Sequence, residues 1–100
     1  MNTFNLKKVA DEVLILLEQN SASAKTIKEY RETGFGVAIR HFTARGTIDV
    51  NAAMLDAFVL EQRKCFDSGE FTGWKWRLVR RGSELLKHFV ETGTTSLPRL

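Results

Sequence analysis

The only proline in the chain is Pro98. Proline inside a helix removes a hydrogen bond and clashes with the preceding turn. A chain that withholds it until its last residues leaves nearly its whole length free to be helical. The apolar residues recur at three- and four-residue spacing, and no run alternates apolar and polar side chains cleanly enough to predict a sheet. The expectation is an all-α fold, a compact bundle of four, or five, helices.

Four segments carry that period. The first runs from about Phe4 to Gln19, with Leu6, Val9, Val13, Leu16 and Leu17 on one stripe. The second starts after Ser23, whose hydroxyl suits an N-cap where free N–H groups need acceptors. It continues to Ala44 and aligns Ile27, Tyr30, Gly34, Val37, Ala38 and His41. Gly34 and Gly36 each cost a helix about 1 kcal/mol relative to alanine, which predicts a kink or a close helix crossing near them. Arg45-Gly46 ends this segment.

The third helix is expected after Asp49 as N-cap, with Met54, Leu55, Phe58, Val59, Gln62, Cys65 and Phe66 on one face. Ser68-Gly69 then supply a left-handed C-cap. The fourth begins near Thr72 and runs to Glu91, with Gly93 as its stop. Residues 1–93 thus read as one helical domain, with 1–20 an additional N-terminal helix. Residues 94–100 are short and aperiodic, as the start of a linker would be.

Composition bounds the function. One hundred residues, 43% of them hydrophobic, build one core. The longest apolar run, Val13-Leu14-Ile15-Leu16-Leu17, is far short of the roughly 18 residues a membrane span needs. The start shows neither a basic segment before a long apolar stretch nor a small-residue cleavage site, so no signal peptide is expected. Cys65 is the only cysteine and has no partner for an internal disulfide. These features read as a cytoplasmic protein without a membrane partner.

Catalysis finds little support. Cys65 and His41 both fall on apolar stripes, where a core cysteine and a semi-buried histidine account for them. His88 lies on a polar face. There are no paired carboxylates, no glycine-rich phosphate loop and no metal-ligand spacing. The expectation is no enzyme activity in this chain, no metal and no cofactor.

The charge is more informative. Fifteen Lys and Arg face twelve Asp and Glu, a net charge of only +3. Between Phe71 and Gly82, however, stand Lys75, Arg77, Arg80 and Arg81 with no acid among them. At about 100° per residue, Leu78, Val79, Gly82, Leu85, Leu86, Phe89 and Val90 form the core face, and Arg77, Arg80 and Arg81 point away from it. Trp74 and Trp76 sit on the two flanks, Trp76 as a packing residue at the core edge. Two readings fit. The arginines grip phosphates or pair with guanine in a major groove, or they form a solvated face with Arg80 paired to Glu84. The start of the second helix poses the same choice. Ser23, Lys25, Thr26 and Lys28 combine hydroxyls, cations and free N–H groups as a phosphate-binding end does, yet Ser and Thr there are also ordinary caps.

The stretch Ser23-Ala24-Lys25-Thr26-Ile27-Lys28-Glu29-Tyr30, followed by a long helix ending in His41-Phe42, resembles the opening of the core-binding domain of tyrosine recombinases. This is the SAM-like N-terminal domain of phage integrases. The stretch from Ser68 to Arg81, then Leu85-Leu86 and Phe89, resembles the last helix of that domain, and Asp49 to Phe66 fits the helix between. The resemblance covers about residues 20–95.

What the resemblance implies is a helical clamp on one face of double-stranded DNA, serving DNA integration and recombination. The catalytic domain of the parent chain would follow the Pro98 linker, and other recombinase protomers would join a synaptic complex. The family's nucleophilic tyrosine and its helpers lie in that catalytic domain, so Tyr30 is not the nucleophile. DNA contact carries over to Ser23, Lys25, Thr26, Lys28, Lys75, Arg77, Arg80 and Arg81. Two features depart from the family: Gly34 and Gly36 interrupt a helix, and the extra helix Phe4–Gln19 either packs on the bundle or reaches a neighbouring protomer.

Two other functions compete. One is a helical protein–protein interaction module whose basic face meets an acidic partner. The other is a small helix-turn-helix regulator, disfavoured because the connections lack the compact turn and recognition helix of that motif.

Overall fold

A computed structural model of the chain describes residues 3–92. The expected Gly93 stop and the linker at 94–100 lie outside the described residues.

Helix α1 spans Leu6–Gln19 and is capped by the Asn5 side chain, which accepts from the Lys8 N–H at 2.9 Å. Its buried stripe, Leu6, Val9, Ala10, Val13, Leu14, Leu16 and Leu17, packs chiefly on the last helix and on the first half of the second helical rod. The N-terminal helix is therefore part of the core and does not reach outward. Ser21, at φ +66°, turns the chain after it.

The second helical rod is broken as the glycines predict. Helix α2, Ala24–Glu29, is capped by Ser23, whose Oγ accepts from the Thr26 N–H at 3.1 Å. A π turn over Tyr30–Gly34 follows, closed by the Phe35 N–H donating to the Tyr30 carbonyl at 2.7 Å. Helix α3, Gly36–Ala44, completes the rod, and Gly46 ends it at φ +72°. The π turn sets Gly34 against the last helix. A Cβ on Gly82 would lie 2.6 Å from the Gly34 carbonyl oxygen, so the two backbones meet directly.

Two expectations are corrected in the link to α4. Phe4–Asn5 (β1) and Asp49–Val50 (β2) pair antiparallel, Phe4 with Val50 and Asn5 with Asp49. Two-residue strands are too short to show an alternating pattern. Asp49 is consequently used in the pairing, and the cap of α4 (Ala52–Asp67) is Asn51, whose Oδ1 accepts from the Met54 N–H at 2.9 Å. Gly69, at φ +85°, ends α4 as expected.

Helix α5, Gly73–Thr92, starts with the Thr72 hydroxyl accepting from the Lys75 N–H at 3.1 Å. Its Leu78, Val79, Leu85 and Leu86 close the core against Val13, Phe35, Val50, Leu55 and Phe58. Counting the interrupted rod as one, the described residues form a bundle of four helices. Among the described residues no helix is long and apolar enough to cross a membrane.

Candidate nucleic-acid interface

The two basic motifs lie far apart in sequence, and a hydrogen bond links the helices that carry them. The indole N–H of Trp74, in the first turn of α5, donates to Oε2 of Glu29, the last residue of α2, at 2.9 Å. Arg81 lies close enough to the π turn for its charge to act on Tyr30. Burial pushes that phenol above its ordinary pKa; Arg81 opposes the shift, while Glu29 and Glu84 add to it. Tyr30 is buried and stacks on Phe35 with ring centres 5.6 Å apart.

Along α5, Trp74, Arg77 and Arg81 recur at three- and four-residue intervals and share the edge nearest α2. Arg80 shares the opposite edge with Ser83 and Lys87, towards α4. Arg77 and Arg80 are exposed and Arg81 is half-buried. Among the described residues no acidic partner lies within 4.0 Å of any of the three, so the Arg80–Glu84 pair of the solvated-face reading is not formed. Lys25 and Lys28 on α2 are also exposed and outside every ion pair among the described residues. Ser23 and Thr26 are committed to capping, with their hydroxyls 3.0 Å apart.

Lys75 does not join the arginines. At about 100° per residue it stands roughly 200° from Arg77. Its Nζ lies 4.2 Å from the centre of the Phe71 ring, a cation–π contact within the α4–α5 connection. The segment between Phe71 and Gly82 is free of acids in sequence, but in space the Glu29 carboxylate sits at its head. Sequence reasoning missed this contact, since nothing local links positions 29 and 74. Trp76 packs as expected, stacked on Phe66 at 5.9 Å and 8°. Trp74 is instead 50% exposed beside the arginines.

The groups considered for catalysis have structural surroundings. The His41 ring lies 4.9 Å from both Phe42 and Phe58, and burial, with Arg45 adding, holds its pKa below the ordinary value against the pull of Glu61. Burial pushes the Cys65 thiol up, and a hydrogen bond with Glu70 adds to the shift. Among the described residues no three His, Cys, Asp or Glu side chains gather to hold a metal.

Geometrically, the site is a helix edge bearing the exposed Arg77, the half-buried Arg81 and an exposed indole, beside a second short helix bearing exposed lysines, with Arg80 on the opposite edge. Comparison of the chain with protein-family models, with curated proteins and with solved structures finds no match in any of the three.

Proposed function

We propose that this chain is a DNA-binding core-binding domain of a tyrosine recombinase, gripping duplex DNA during integration or recombination while a separate catalytic domain performs the bond chemistry. The observation that carries the reading is a set of five cations, Lys25, Lys28, Arg77, Arg80 and Arg81, without ion-pair partners among the described residues, on two elements joined by Glu29 and Trp74. Unneutralised cations on the outer surface of two linked helices suit a polyanion, because phosphates replace their hydration and release condensed counterions. The resemblance of residues 20–95 to the integrase domain supplies the biological context. The parent's catalytic domain and further protomers are its partners on this reading.

The test is a gel-shift titration of the chain against unrelated duplexes at two salt concentrations. Binding should weaken steeply with salt, and the logarithmic slope should fall by about 0.9 for each phosphate that is no longer neutralised. The triple variant Arg77→Ala, Arg80→Ala, Arg81→Ala should bind about tenfold or more weakly and flatten the salt slope. Its melting temperature should move little, since none of the three makes an ion pair among the described residues. Wild-type affinity in that variant overturns the assignment. Lys75→Ala should cost less than Arg77→Ala, since Lys75 lies over Phe71 and Arg77 is exposed.

A further inference from the structure

Between α4 and α5, on the side away from α2, runs a groove of about 310 Å³. That is at the lower end of the roughly 300–1,000 Å³ typical of small-molecule sites. Its α4 bank carries Asp56, which is paired with Lys87, and an apolar stretch of Val59 and Leu60, the latter 67% exposed. Its α5 bank carries Arg80, Ser83, Glu84 and Lys87. Ser83 is only 1% exposed, and its Oγ is buried with no hydrogen-bond partner among the described residues. Buried hydroxyls are almost always paired, and a serine inside a helix can bond back to the carbonyl four residues earlier. This one, in the wall of a groove, does neither.

We propose that the α4–α5 groove binds a small monoanionic amphiphile, an apolar carboxylate whose acid group meets Arg80 and Ser83 and whose body covers Val59 and Leu60. The charges select this class. Arg80 is the groove cation outside every ion pair among the described residues, and its guanidinium fork matches the two oxygens of a carboxylate. Lys87 is already committed, with Nζ 2.6 Å from Asp56 Oδ1. Glu84 on the same bank opposes a second negative charge, which favours a carboxylate over a phosphate dianion. The apolar stretch disfavours a small hydrated anion. Ser83 Oγ, buried without a partner in the groove wall, can donate to the ligand once its side chain turns toward the groove, and that turn breaks no existing hydrogen bond.

This inference does not depend on the DNA reading, although Arg80 serves in both. The test is a titration of the isotope-labelled chain with octanoate below its micelle concentration, followed by amide chemical shifts. Saturable shifts are expected at residues 59, 60, 80 and 83. Arg80→Gln should weaken binding about fivefold or more. Ser83→Ala should weaken it about threefold while raising the melting temperature, because it removes a buried hydroxyl that nothing satisfies. Octylammonium, with the same tail and opposite charge, should not bind there. Non-saturating shifts, unchanged affinity in either variant, or equal binding of octylammonium overturns the proposal. So do shifts of equal size at Ile39 and Ile48, which line a smaller groove beside the strand pair.

Discussion

Along one edge of α5 the Gly82 backbone touches that of Gly34, while along the other Ser83 and Arg80 face α4 across an open groove. The same helix meets one neighbour backbone to backbone and, beside a packed core, leaves a surface groove against the other. The sealed edge needs two glycines and a π turn. With no Cβ on either side the rods approach backbone to backbone, as small residues allow elsewhere. The open edge is spanned at its far end by Lys87 and Asp56, and carries Leu60 where a closed interface would bury it. The sealed edge fixes Trp74 and Arg81 relative to α2 and the π turn. The open edge is where a ligand can enter without displacing core side chains.

The largest effect should come from breaking the sealed edge. Gly82→Val places a branched side chain where a Cβ would already sit 2.6 Å from one backbone atom and 2.8 Å from the next. Neither is the end of a flexible chain, so the rods must separate. Overpacking of this kind costs roughly 1–3 kcal/mol or more, and a fall in stability of about 3 kcal/mol is expected in urea unfolding. Gly73→Ala, in the first turn of the same helix, is the control. A Cβ there meets nothing within 4 Å, and stability should stay level or rise by up to about 1 kcal/mol. Equal destabilisation at the two positions would show that the crossing does not hold the bundle together.

The contrast also explains what was legible in the sequence. Features set by neighbouring residues could be read: the helical stripes, the Ser23 cap, the start of α5 near Thr72, the stop at Gly46, the left-handed Gly69, and a disturbance at Gly34. Features set by distant partners could not. The glycines announced a close crossing, but that Gly82 supplies the other half depends on packing between residues far apart in the chain. Asp49 and Asn51 are both good N-caps, and pairing with Asn5, far upstream, removes Asp49 from the choice. Arg80 and Glu84 have the spacing of a helical ion pair, yet exposed pairs gain little and this one does not form. The site was therefore half visible. Arg77, Arg80 and Arg81 followed from helical angle, but the join to α2 through Trp74 and Glu29, the turning of Lys75 onto Phe71 and the groove behind Arg80 did not.

A smaller effect should separate the two faces of α4. Its groove side is open, but its inner side is held by Phe58, which packs on His41 and Phe42 of α3. His41 has a folded-state pKa below its unfolded value, chiefly through burial. Between those two values the unfolded chain binds more protons, so stability rises with pH across that window. The contribution is complete above about pH 6.5, the unfolded value, and disappears as pH falls through the lowered folded value. Melting temperatures between neutral and mildly acidic pH should show this decline. His41→Phe, which keeps an aromatic ring against Phe58 and cannot titrate, should show a shallower one. Identical slopes for the two proteins would remove His41 from the anchoring of α4.

The smallest effect belongs to the bridge across the open edge. Lys87 Nζ and Asp56 Oδ1 are 2.6 Å apart, and the two side chains are 27% and 59% exposed. Water and salt screen such a pair, and two flexible side chains must be ordered to make it. A double-mutant cycle of Lys87→Met and Asp56→Asn should give a coupling of about 0.5 kcal/mol, shrinking further in high salt. That small value is what an open groove requires, since a bridge worth several kcal/mol would resist any widening on ligand entry. A coupling as large as the Gly82 penalty would mean that both edges of α5 are closed by comparable forces, and the distinction between them would fail.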